Sequence, residues 1–342
     1  MPQPPVGDRL TFVSVVFETE FPLLVLQARS MARFLDDASV HEVLVIDNSA
    51  SGIPRATLAE LHREYAHLSD RVRVVRPDDV CRVPATGGWR SQQVLKLCIS
   101  DRVATTRYVV LDAKNHFIAA PDAHFFQTAG GKPTANAYSF EEHPLRPELE
   151  RTLRYLGLDP DDHVGRFTAT VTPFVLDTAV VRELIAGLEA REGRRFPDLF
   201  VEQQLTEFFL YAGWIVARGT PLDEFFDLHQ KFCPIVWPGR ADLAGVEEAV
   251  AAAEERGIPL FAVHRRALIK LDEPATTALT RFWTAVGLFP DQPAAKEFVT
   301  SFVTAYARVN RRRKLREARL RTGSALRRRV RKLYTPKERR TS

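Results

Sequence analysis

The chain has 342 residues, 45% hydrophobic and 27% charged, a balance ordinary for a folded protein long enough to bury a sizeable core. No apolar run approaches the ~20 residues of a membrane span, the start MPQPPVGDRL lacks the pattern of a secretory leader, and Cys81, Cys98 and Cys233 are too few and too scattered for a zinc site, which predicts reduced thiols in a cytoplasmic protein. The net charge of +5 hides an asymmetry, because residues 307–342 hold 16 Lys+Arg against 2 Asp+Glu, a net +14 that leaves −9 on the rest, so the overall basicity says little about the body.

Taken in order, Thr11–Phe17 (TFVSVVF) reads as a buried strand and Glu20–Leu35 has helical spacing. Val43–Ile46 is a second strand, ending in Asp47-Asn48-Ser49. Pro54–Ala66 reads as a helix and Val72–Val75 as a third strand. This alternation begins a doubly wound, mostly parallel sheet. No GxGxxG follows the first strand, which argues against a dinucleotide-binding domain.

Gly87-Gly88 opens a helix over Trp89–Ser100. Val94, Leu95, Cys98 and Ile99 share one face of it, and Gln92, Gln93 and Lys96 the other. Such a polar stripe is commonly just solvated. A glycine pair before a helix also lets the backbone approach an anion, and Lys96 is placed to reach a phosphate as a point charge. Tyr108–Leu111 is a strand with the pattern of burial on both faces, and Asp112 stands where it ends. Ligands of open α/β sheets collect past such strand ends, so Asp112 suits a metal, a ribose hydroxyl or a sugar hydroxyl. It equally suits a turn.

Pro121–Gln127 reads as a short helix, Gly130-Gly131 as a turn, and 132–168 as a long irregular insertion of the kind that faces substrates. His143, Arg146 and Arg166 are available there for an anionic acceptor. Thr170–Leu176 reads as a strand broken by Pro173, and Thr178–Glu189 as a helix. Pro197–Tyr211 reads as one amphipathic helix, with Glu202 about 140° around from Glu207. Gly213–Ala217 reads as a strand, 241–257 as a surface helix, and Pro259–Val263 as a strand ending in His264-Arg265-Arg266. Two helices follow over 274–288 and 293–310. In the basic tail Leu326, Val330 and Leu333 recur at helical spacing, the pattern of an amphipathic segment for an anionic membrane surface or nucleic acid.

The segment YVVLDAKNHF resembles the DxD segment of GT-A glycosyltransferases. Together with GGWRSQQVLKL, TEFFLYAGW and FAVHRR, it is similar to an uncharacterised bacterial GT-A-like family (DUF6492-like) associated with surface polysaccharide genes. The resemblance covers roughly residues 10 to 270. It implies an α/β, GT-A-like domain over 1–290, followed by C-terminal helices and the basic tail over 291–342. It implies a nucleotide-sugar donor, with a UDP-sugar expected, and a divalent metal on Asp112 and His264. Asp47, Gln93, Lys96, Lys114 and Arg265 are then donor contacts, and Glu207 is the base that takes the acceptor proton. Lys114 stands in place of the second acid of the motif, which counts against a metal.

The expected activity is sugar transfer to a glycan or lipid-linked glycan acceptor, at the inner face of the membrane through the tail. Two other classes fit parts of the chain. One is a non-catalytic nucleotide-sugar-binding scaffold. The other is a nucleic-acid-binding protein, disfavoured by the acidic body and the lack of an aromatic-basic sheet face.

Overall fold

The computed structural model describes residues 9–229 and 231–311, and the basic tail after 311 lies outside them. The strands of its two larger sheets are β1 (Leu10–Val16), β2 (Val40–Asp47), β3 (Val72–Val75), β4 (Arg107–Asp112), β5 (Asn115–Phe117), β6 (Phe174–Asp177), β7 (Ile235–Val236) and β8 (Leu260–Val263). Its longer helices are α1 (Phe21–Phe34), α2 (Arg55–Tyr65), α3 (Gly88–Cys98), α4 (Arg146–Tyr155), α5 (Thr178–Glu192), α6 (Phe196–Glu202), α7 (Glu207–Ala217), α8 (Leu243–Arg256) and α9 (Glu273–Ala285). A further helix runs over 292–311.

The main sheet has the order β3-β2-β1-β4-β6. β1 to β4 are parallel and β6 is antiparallel to β4. The fold class is therefore α/β with a mostly parallel sheet flanked by helices, as the strand–helix alternation predicts. The period-two geometry of a strand sends alternate residues to opposite faces. Phe12 and Val16 of β1, Val43 and Val45 of β2, and Val109 and Leu111 of β4 enter one core. Val13, Val15, Leu44, Ile46, Tyr108 and Val110 enter another. That double burial is why these strands read as unbroken apolar runs. The edge strand β3 is only four residues long and projects an exposed Arg73.

A small second sheet, β5-β8-β7, stands beside the main one. Phe289, Ala295, Val299 and Phe302 join the same core as Phe12, so the last helices pack on the main body.

Several sequence expectations are corrected. Residues 121–127 are not helical. Asp122 turns the chain by accepting from the His124 amide (2.7 Å), and Gln127 bridges Pro133. The segment 132–168 is more ordered than its composition implies. It holds α4, whose Leu149 and Leu153 are buried, between two short strands, Ala137–Tyr138 and Phe167–Thr168, that pair antiparallel. The strand expected from Thr170 begins only at Phe174.

The single helix expected over Pro197–Tyr211 is two. After α6, the Gln204 amide donates to Val201 O (3.3 Å) and the Leu205 amide to Phe200 O (3.1 Å). This is a Schellman closure, with Gln204 at φ +53° where glycine is usual. The strand expected at Gly213–Ala217 is the continuation of α7. A Cβ on Gly213 would meet Leu156 Cδ1 at 2.7 Å, so the glycine lets α4 and α7 approach closely.

His116 of β5 pins α9 to the small sheet. Its Nε2 accepts from Trp283 Nε1 at 2.9 Å, deep in the core. Burial pulls the imidazole down from 6.5 to about 4, opposed in part by the Lys114 carbonyl. Below 6.5 the unfolded chain takes up a proton that the folded chain refuses. Stability is therefore fully present above pH 6.5 and falls as pH drops towards 4, by up to about 3 kcal/mol for this one group. Urea unfolding across that window is expected to show the loss. His116→Gln, which keeps an acceptor for Trp283, is expected to flatten that part of it.

Candidate functional site

Asp112 ends β4 beside β1, with Val15 as its register partner. The sheet order reverses between these strands, which makes this the switch point where α/β sheets take ligands. The turn after Asp112 is tightly fixed. The Asp112 amide donates to Asn115 Oδ1 (2.9 Å). Gln27 of α1, fully buried, donates from Nε2 to the Asp112 and Asn115 carbonyls (2.9 Å each) and accepts from Ser14 Oγ (2.9 Å). Thr172 Oγ stands 3.1 Å from Asp112 Oδ2 and 2.7 Å from Asn115 Oδ1.

On this turn rests a chain of alternating charges. Glu207 Oε1 lies 3.3 Å from Lys96 Nζ, and Lys96 Nζ lies 3.0 Å from Asp112 Oδ1. Asp112 Oδ2 is ion-paired to Lys114. Two ammonium groups and two carboxylates sum to zero. Lys96 is 3% exposed and Glu207 is 5% exposed, so each charge there needs its partners. Lys96 also lies 5.4 Å over the Phe208 ring. Burial alone would push the Lys96 ammonium down, but Asp112 and Glu207 hold it above its usual range. Burial works to raise Asp112, but Lys114 and Lys96 outweigh it and hold the carboxyl well below the carboxylate range. Glu207 is raised, because its burial outweighs the nearby Lys96.

A cleft of about 1120 Å³ opens at the carboxyl ends of β1, β2 and β4. Its wall includes Glu18, Glu20, Asp112, Lys114, His264 and Arg265. Arg265 is ion-paired to Glu20, whose carboxyl is raised by burial against the pull of Arg265. His264 caps the short turn after β8 by accepting from the Arg266 amide at 3.1 Å. Burial, then Arg265, Lys114 and Arg266, bring its imidazole down to about 4.

The structure thus unites Lys96, Asp112, Lys114 and Glu207, and gathers His264 and Arg265 onto the same cleft. Four expected contacts lie off the cleft wall. Lys96 and Glu207 sit behind Asp112. Gln93, 1% exposed, accepts the Glu207 amide (3.3 Å) at the start of α7. Gln93 and Lys96 are buried, so these two members of the polar stripe read along α3 face protein, while Gln92 lines the cleft. Asp47 is spent on its own loop. Its carboxylate accepts from the Ser49 and Ile53 amides (3.1 and 2.7 Å) and pairs with Arg76 at 2.6 Å. The loop it shapes, not Asp47 itself, lines the cleft. Sequence reasoning missed Gln27, Thr172 and Glu20. It also missed Trp89 and Trp237 on the wall, which carry no pattern until the fold assembles them.

The donor set does not fit a divalent cation. Both Asp112 oxygens face ammonium groups. His264 accepts a backbone amide and is flanked by two arginines. Among the described residues no group of three or more His, Cys, Asp or Glu side chains forms a metal-binding set.

The model of a family of unknown function, DUF6492, matches residues 21–238. No curated protein matches the chain. Among solved structures it is similar to the galactosyltransferase LgtC in complex with donor and acceptor sugar analogues, at 12% identity and TM-score 0.38, over 58% of this chain and 72% of that one. It is similar to the bifunctional glycosyltransferase WbbM at 13% and 0.40, over 76% and 46%. It is also similar to the glycosyltransferase GlyE of Streptococcus pneumoniae TIGR4 at 9% and 0.38, over 86% and 64%.

Removing Lys96 leaves the buried Glu207 carboxylate facing Asp112 with no cation between them, a fault that costs about 3–5 kcal/mol at buried ion pairs. Lys96→Met is expected to lower unfolding stability by that order in urea melts. Adding Glu207→Gln is expected to return part of it, since Asp112 still has Lys114. A Lys96→Met protein as stable as the parent would show that the charge chain holds nothing.

Proposed function

The chain belongs to the DUF6492 family, and we propose from its site that it is a glycosyltransferase moving a sugar from a nucleotide-sugar, a UDP-sugar in the first instance, to a glycan acceptor. The observation that carries this reading is the pairing of Asp112 with Lys114 on the wall of a cleft at the sheet's switch point. Transfer breaks the bond between the anomeric carbon and the diphosphate. The bonding electrons leave with the diphosphate oxygen, and that growing charge needs cations fixed in advance. Lys114 and Arg265 supply them from the cleft wall, so this reading asks no metal for the step. Asp112 is left to accept a hydrogen bond from a donor-sugar hydroxyl.

The acceptor hydroxyl forms the new bond at the anomeric carbon and gives up its proton to a carboxylate. Glu207 was the expected base, but it is sealed behind Lys96. We assign it to holding Lys96, and through it Asp112, in place. Glu20 lies on the wall, and its raised carboxyl is the better proton acceptor. In this reading the product is a bacterial surface glycan, built at the inner face of the membrane.

Differential scanning against UDP-, GDP-, CMP- and dTDP-sugars tests the donor, since a ligand selective for the folded state raises its stability. One class is expected to raise Tm, and transfer or slow donor hydrolysis is expected to persist in EDTA. Asp112→Asn and Lys114→Met are expected to stay folded and lose on the order of 10²–10³ in kcat, the scale of removing one preorganised charge-stabilising contact. Binding with no turnover under any condition would favour the scaffold reading. Loss of turnover in EDTA, restored by Mn²⁺, would overturn the metal-free step.

A further inference from the structure

The helix over 292–311 ends on the cleft. Val309 is part of the cleft wall, and Arg308 and Arg311 on either side of it are exposed. The sequence that follows, 312–342, carries 14 Lys+Arg against 2 Asp+Glu. The root of the basic tail is therefore part of the cleft wall, and the tail leaves the body beside the cleft. Two more wall residues stand out to solvent, Trp89 at 51% and Trp237 at 46% exposure. Large half-exposed indoles are costly in water and suit the boundary between water and lipid headgroups, where one end is apolar and the other wet.

We infer that the cleft mouth is a docking face for an anionic lipid surface, with Trp89 and Trp237 at the headgroup boundary and the basic tail as the electrostatic anchor. Each Lys or Arg near an anionic leaflet strengthens partitioning roughly fivefold. Leu326, Val330 and Leu333 recur among the arginines at helical spacing, which adds apolar area for the same surface. Nucleic acid would meet the same cations, but the remainder of the chain, residues 1–311, is net −7 and repels a polyanion that extends beyond the tail. The bilayer needs only the mouth and the tail. The inference rests on the glycosyltransferase reading in one respect only: docked this way, the cleft opens onto acceptors carried by lipid.

The test uses the full chain and reads no turnover, so its failure is separate from failure of the transferase reading. The protein is sedimented with vesicles of phosphatidylcholine alone, and of phosphatidylcholine mixed with phosphatidylglycerol, at low and high salt. Pelleting is expected with the anionic vesicles only and is expected to weaken with salt. The combined change Arg327→Gln, Arg328→Gln, Arg329→Gln, Arg331→Gln and Lys332→Gln is expected to lower partitioning by on the order of a thousandfold, with thermal unfolding unchanged.

Orientation is read by tryptophan emission in vesicles containing brominated phosphatidylcholine. The chain has four tryptophans, of which Trp89 and Trp237 are the strongly exposed ones. Quenching is expected in the parent protein and is expected to be largely lost in Trp89→Phe/Trp237→Phe. Pelleting without quenching would mean that the tail tethers while the cleft faces away, and would overturn the proposal. So would equal pelleting with neutral and anionic vesicles, or retention on RNA with none on vesicles.

Discussion

The neutral chain of charges from Glu207 through Lys96 and Asp112 to Lys114 is the constraint around which the site is built. A lone charge in a protein interior is expensive, and a pair is tolerated only when its geometry is good and its remaining hydrogen bonds are filled. Here the partners come from α3, β4 and α7, so the position of each element is tied to the others by more than apolar packing. Gln93 meets the first amide of α7, and Phe208, the next residue along, packs face to face on Phe174 of β6 with ring centroids 4.1 Å apart. The ion chain and the aromatic stack therefore fix the same helix start from two sides.

This arrangement divides the polar residues into two layers with different tasks. The inner layer, Gln93, Lys96, Glu207 and Asp47, is buried and makes its polar contacts to protein groups. It sets positions. The outer layer, Glu20, Lys114, His264 and Arg265, faces the cleft and is free to exchange its partners for those of a ligand. Asp112 belongs to both, since one oxygen meets Lys96 from within and the other meets Lys114 at the wall. In the proposed transfer, preorganisation of this kind would spare the site much of its reorganisation as charge develops.

The central strands were legible because burial on both faces leaves no polar residue to interrupt the run. Asp112 was legible because its strand ends so abruptly. Its partners were not. Lys96 and Glu207 are separated by 111 residues, and helical spacing alone placed Lys96 on a polar face that turned out to be interior. The break between α6 and α7 was invisible because its left-handed position is filled by Gln204 in place of glycine. The end of α7 looked like a strand because GWIVA is apolar, and a helix buried nearly all round has no polar face to reveal its period. Asp47 read equally well as a turn former or a ligand contact, and only the position of Arg76 shows that its carboxylate is already spent.

The outer strand β3, one of the two edges of the main sheet, bears on how the molecule behaves in a crowd. An open edge offers unpaired amides and carbonyls to any other strand, and long flat edges invite sheets to join into polymers. β3 gives such a partner only four residues. Arg73 projects from its middle with a side chain 75% exposed and lies 3.6 Å from Glu42 on the neighbouring strand. A second sheet docking there would have to accommodate a charged, hydrated group at the centre of a very short ladder. Shortness and a central charge together guard this edge against aggregation.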